Sequence, residues 1–157
     1  MINKRELLDQ IVARLQTELE LLTTAALATH AEATDEENKA EDKYDTRGLE
    51  ASYLAHGQSK AAEETALALA HFQGIVLRDF AAHEPIGLGA LVALDGPGRY
   101  FMGPRAGGTE IKLTSGSVLV ITPQSPLGRQ LLGRRQGDTV QLDVGGKLST
   151  ARINSVI

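Results

Sequence analysis

The chain has 157 residues, 42% of them hydrophobic and 23% charged, with a net charge of −4. This bounds it to one medium domain or two small ones, and it excludes general disorder and the strongly basic footprint of a general DNA-binding domain. Cysteine is absent, which removes disulfides, thiol catalysis and cysteine-ligated zinc; with no signal-peptide core and no membrane-length apolar run, the expected location is the cytoplasm.

The first segment reads as a helix over residues 3–32. Leu8, Val12, Leu15, Leu19, Leu22, Ala26 and Thr29 alternate at spacings of four and three, which keeps one stripe facing a partner helix. Glu6, Asp9, Arg14, Glu18 and Glu20 lie off that stripe. Such a rod is roughly 45 Å long at ~1.5 Å per residue and needs a partner along its length.

The next segment supplies one. Thr34 followed by Glu37 has capping-box spacing, so a turn is expected near Ala33–Thr34 and a second helix from Asp35 to Phe72. Its apolar positions are small: Ala40, Ala51, Ala55, Ala62 and Ala66. Gly48 and Gly57 each cost about 1 kcal/mol relative to alanine. Two long helices joined by a short turn pack antiparallel, so residues 1–78 are expected to form a coiled-coil hairpin.

Residues 32–46, EATDEENKAEDKYDT, sit at the expected tip and hold seven acidic side chains against two lysines. One reading is a solvated helix face, in which Asp35–Lys39 and Glu36–Lys39 pairs add only a few tenths of a kcal/mol. The other is a working site. A tip contributes little to stability but can reach into another molecule, and clustered carboxylates bind Mg²⁺ while leaving water and phosphate positions open.

From about residue 84 glycine and β-branched residues become frequent, and a small α+β domain is expected over 84–157. IGLGALVAL, RYFMG, GSVLVI, DTVQLDV and STARINSVI read as strands, with Gly145–Gly146 as a tight hairpin turn. One short helix is marked among them. Ser125 is its N-cap, Pro126 its first residue, Leu127, Leu131 and Leu132 its apolar side, and Gly133 its stop.

No self-contained active site emerges. GPGRYFMGPRAGG lacks the GK[ST] ending of a phosphate-binding loop, GLGAL opens no βαβ unit, the four histidines have no ligand spacing, and no GxSxG elbow occurs. The protein is therefore not expected to be an enzyme in its own right.

The C-terminal run ITPQSPLGRQLLGRRQGDTVQLDVGGKLSTARINSVI resembles the C-terminal signature of the bacterial Gre transcript-cleavage factors. The resemblance is carried by Ser125, Pro126, Leu127, Leu132, Gly133, Gly137, Asp138, Gly145 and Gly146. It implies an α+β fold, with an antiparallel helical hairpin followed by a small domain similar to FK506-binding proteins. The 4% aromatic content and the absence of tryptophan argue against prolyl isomerase activity. The implied partner is bacterial RNA polymerase, approached at its secondary channel through Ser125, Pro126 and Leu127, with the RNA 3′ end met indirectly. No membrane and no sequence-specific DNA binding are implied. Asp35, Glu36 and Glu37 are then the candidate catalytic residues, with Asp35 and Glu37 as ligands to a Mg²⁺ shared with polymerase. The family's first tip acid falls on Thr34, whereas Glu37 and Asn38 fit its pattern; Tyr44 stands three places late for its tyrosine. Two other readings stay open: a Gre-fold competitor that occupies the channel without cleavage, and a coiled-coil adaptor unrelated to polymerase.

Overall fold

The computed structural model describes residues 1–34 and 47–157. Its elements are α1 (Lys4–Thr34), α2 (Arg47–Gln73), β1 (Leu91–Leu94), β2 (Arg99–Met102), β3 (Glu110–Leu113), β4 (Gly116–Ile121), α3 (Pro126–Leu131), β5 (Thr139–Val144) and β6 (Lys147–Val156). The fold class is α+β: two long helices and a six-stranded mixed sheet. The chain divides into two compact units, Val12–Ala70 and a second made of Met1–Ile11 with His71–Ile157.

The helical unit follows the expected stripe. Leu15 and Ala26 are buried, and Val12, Leu19, Leu22 and Thr29 are half-buried. Leu8, at the same spacing in the other unit, is buried too. Arg14, Glu18 and Glu20 are exposed. On α2, Ala55, Thr65 and Ala68 are buried. A leucine on a lone helix keeps much of its side chain in water, so the burial of Leu15 means that this face of α1 is covered. Ala66, expected at a seam position, is exposed, and Thr65 and Ala68 take its place. With side chains this small the hydrophobic pattern fixes the helix face poorly.

The turn expected at Ala33–Thr34 is helix instead, because α1 continues through Thr34. The HAEA run preceding it holds neither glycine nor proline to stop it, and alanine and glutamate favour continuation. The remainder of the expected capping box, with Glu37, lies outside the described residues, as do the first twelve residues of the expected second helix.

In the other unit the strand order is β3-β4-β2-β1-β6-β5. All neighbours are antiparallel except β2 and β4, which pair in parallel with Phe101 opposite Val120. Both faces of the central strands are covered, which is why β1 reads as the unbroken apolar run LVAL. One face joins Val92, Leu94, Met102, Ile121, Ile153 and Val156 to Phe80, Ile86 and Leu131. The other face carries Leu91, Phe101 and Val120, all buried. Phe72 packs there so closely that a Cβ on Gly103 would come within 2.8 Å of its ring.

All five expected strands are present. The first is shorter than IGLGALVAL, since Gly89 has φ +82° and turns the chain before β1. Strand β3 is an addition to the expected set. It is a four-residue edge strand with the burial pattern exposed, buried, exposed, half-buried, and two apolar residues leave too short an alternation to stand out. The Gly145–Gly146 turn joins Val144 to its partner Lys147 with φ +63° and +83°, the two left-handed residues of a tight hairpin.

Candidate functional site

Asp35, Glu36 and Glu37 lie outside the described residues. Among the described residues no group of three or more His, Asp or Glu is placed to hold a metal ion. The structure does describe the second candidate region, around α3.

Ser125 is the N-cap of α3, in extended backbone geometry. Its hydroxyl accepts from the Gly128 N–H at 3.1 Å and from the Thr122 N–H at 3.3 Å, and donates to the Thr122 carbonyl at 2.8 Å. That uses the one proton and both lone pairs of the hydroxyl, so Ser125 shapes the corner and has nothing left to offer a partner. Pro126 occupies the first helical turn and is exposed. Leu127 is half-buried and packs against the core cluster. Of the three docking candidates, Pro126 is thus the exposed one.

Sequence reading misses two residues that build this corner. Gly128 is buried, and a Cβ there would come within 1.7 Å of the Thr122 carbonyl oxygen. Glycine inside a six-residue helix runs against propensity, and that conflict is a legible sign of close backbone approach. Gln130 gives no such sign. Its Nε2 donates to the Gln141 carbonyl and its Oε1 accepts from the Gln141 N–H, both at 2.8 Å, so it ties α3 to the free edge of β5.

The loop after α3 is anchored through its backbone. Gly133 has φ +80°, as a helix stop requires. The Gly133 N–H donates to the Ile86 carbonyl at 2.9 Å, and the Ile86 N–H donates to the Arg134 carbonyl at 2.7 Å. The Arg135 N–H donates to Asp138 Oδ2 at 2.9 Å. Elsewhere in this unit, Arg78 stacks over Phe80 at 3.9 Å and pairs with Glu84 at 2.9 Å. The Ala81 N–H donates to the other Glu84 oxygen at 2.7 Å. That bond first, and Arg78 second, hold the Glu84 carboxyl below its ordinary range. Burial lowers the Lys4 amine from its usual value; it donates to the Arg78 carbonyl and lies over Phe80.

The capped short helix, the glycine-stopped loop and the closing hairpin follow one another in the last third of the chain. Residues 106–157, about a third of the chain, match the family model described as transcription elongation factor, GreA/GreB, C-terminal. Over these residues the chain is similar to the C-terminal domain of the GreA/GreB elongation factors. No curated protein matches the chain. Among solved structures it is similar to GreA factor homolog 1 (Gfh1) of Thermus thermophilus, at 22% identity over 93% of this chain and 94% of that one, with a TM-score of 0.36. It is also similar to Gfh1 of Thermus aquaticus, at 19% identity over 97% and 92% of the two chains, with a TM-score of 0.39.

Proposed function

We propose that this protein is an accessory factor of bacterial RNA polymerase that stimulates cleavage of backtracked RNA. The observation that carries the reading is the match of residues 106–157 to the GreA/GreB C-terminal domain. In this reading the exposed Pro126 side of α3 meets polymerase near its secondary channel. Residues 32–46, with seven carboxylates, act within the polymerase active site. Asp35 and Glu37 offer the hard oxygen donors that suit Mg²⁺, with Glu36 as a neighbouring substitute. The ion supplies charge neutralisation and a more acidic bound water. The chain's own part is to present the carboxylates and orient the attacking water. The reaction belongs to polymerase, and the factor lends ligands to it.

The test is transcript cleavage in stalled, backtracked elongation complexes with and without the protein. Wild type accelerates cleavage. The Asp35→Ala/Glu37→Ala variant still binds polymerase and loses at least roughly tenfold in cleavage rate, about 1.4 kcal/mol of barrier. One residue favours a second reading. Thr34 stands where the resembled family has its first tip acid, which suits a factor that occupies polymerase without cleaving. Binding without cleavage at any Mg²⁺ concentration selects that reading. Absence of binding removes both and leaves the adaptor.

A further inference from the structure

Between Glu110 and Asp138 the sequence contains no carboxylate, and within that interval Arg129, Arg134 and Arg135 fall within seven residues. All three are exposed at the end of α3 and in the loop beyond it. None of them makes an ion pair among the described residues. The acidic groups of the neighbouring segments are engaged elsewhere: Asp138 by the Arg135 N–H, Asp143 by the Gly146 N–H, and Glu84 by Arg78 and the Ala81 N–H. Leu132 lies among the arginines and is 46% exposed.

The backbone that carries them is held firmly. Gln130 fixes α3 to β5, two hydrogen bonds join Gly133 and Arg134 to Ile86, and Asp138 pins Arg135. Three like charges on a preorganised backbone add nothing to folding, yet such a backbone reduces the ordering cost of binding. Arginine grouped around an apolar residue is the composition of a protein–protein contact. The stretch from Pro126 to Gly137 has no aromatic residue on which a base could stack. This compact unit also carries eight carboxylates against eleven lysines and arginines, too balanced for a nucleic-acid footprint.

We infer that Arg129, Arg134 and Arg135, with Leu132 among them, form a docking surface for an acidic protein face of the polymerase. This rests on the polymerase reading above and extends the contact from Pro126 around α3. The competing occupant is a second copy of this chain, because Val12–Ala70 carries twelve carboxylates against five basic residues.

The experiment compares full-length wild type with the Arg129→Glu/Arg134→Glu/Arg135→Glu variant in three assays: polymerase binding at low and high salt, binding of a single-stranded oligonucleotide, and sedimentation. Expected is a wild-type polymerase affinity that falls with salt, a variant affinity at least about tenfold lower at low salt with a flattened salt response, and unchanged melting. If the triple variant fails to fold, Arg134→Gln/Arg135→Gln carries the test, with a smaller loss in the same direction. Equal polymerase binding by variant and wild type overturns the inference and leaves the polymerase reading standing. A loss confined to oligonucleotide binding or to self-association overturns it in favour of that occupant. A wild type that does not bind polymerase overturns both.

Discussion

The Gln130 carboxamide lies against the Gln141 peptide group as a neighbouring strand would, giving one hydrogen bond and taking one, both at 2.8 Å. The two residues are eleven apart, and their pairing closes part of the β5 edge that would otherwise be open to other chains. Gln130→Ala is expected to cost about 1 kcal/mol, because two exposed hydrogen bonds return to water. Urea denaturation measures this. Gln130→Glu behaves differently, since an ionised carboxylate cannot donate to the Gln141 carbonyl. Protonation restores the donor, so this variant regains stability as pH falls, and an unchanged deficit in acid would contradict the geometry.

Gly128 is the least replaceable residue of the corner. A methyl group there would stand 1.7 Å from the Thr122 carbonyl oxygen, so Gly128→Ala forces the backbone of α3 away from the 122–125 turn. The expected loss is about 2–4 kcal/mol, visible as a lowered melting temperature. Melting within a degree of wild type would show that the corner relaxes freely.

Pro126 and Leu127 separate docking from folding. Pro126 is exposed, and Pro126→Glu should leave melting nearly unchanged while weakening retention on immobilised polymerase. Leu127 packs against the core cluster, so Leu127→Glu buries a charge beside apolar side chains and is expected to cost about 1–3 kcal/mol. Equal melting of the two variants would contradict the burial difference.

Glu84 gives a pH signature. Its carboxyl is lowered in the folded state, first by the Ala81 N–H and then by Arg78. The folded protein therefore favours the ionised form, and the contribution is present above the ordinary carboxylate range and lost as pH falls through the lowered value. Glu84→Gln should reduce thermal stability at neutral pH and converge with wild type in strong acid. A difference that persists in acid would assign the effect to packing.

Much of this architecture is legible in the sequence because long patterns average out local ambiguity. All seven positions of the α1 stripe, from Leu8 to Thr29, are buried or half-buried. The α3 corner is readable for a different reason: Ser125, Pro126 and Gly133 each meet a backbone demand that few residues satisfy. Where the signal is short or weak, reading fails. Strand β3 offers only Ile111 and Leu113, and on α2 alanine so resembles its neighbours in size that the pattern points to Ala66 where Thr65 and Ala68 are buried. Gln130 depends on a partner that only folding brings near. The acidic residues Asp35, Glu36 and Glu37 are legible as chemistry, since charge density needs no structure to be read, but their placement lies outside the described residues.

Strand β6 lies inside the sheet, between β1 and β5, and Leu91 exchanges hydrogen bonds with Ile157 at 2.9 and 3.0 Å. A ribosome that has made everything up to Gly146 has therefore not yet supplied the strand that joins β5 to the rest. Val12–Ala70 is a compact unit that is complete once Ala70 has been made, so its helices can form while synthesis continues. Met1–Ile11, by contrast, belongs to the unit that waits for residues 147–156. Residues 1–11 thus wait for a strand made more than a hundred residues after them, and a message cut short before β6 yields helices without a folded C-terminal domain.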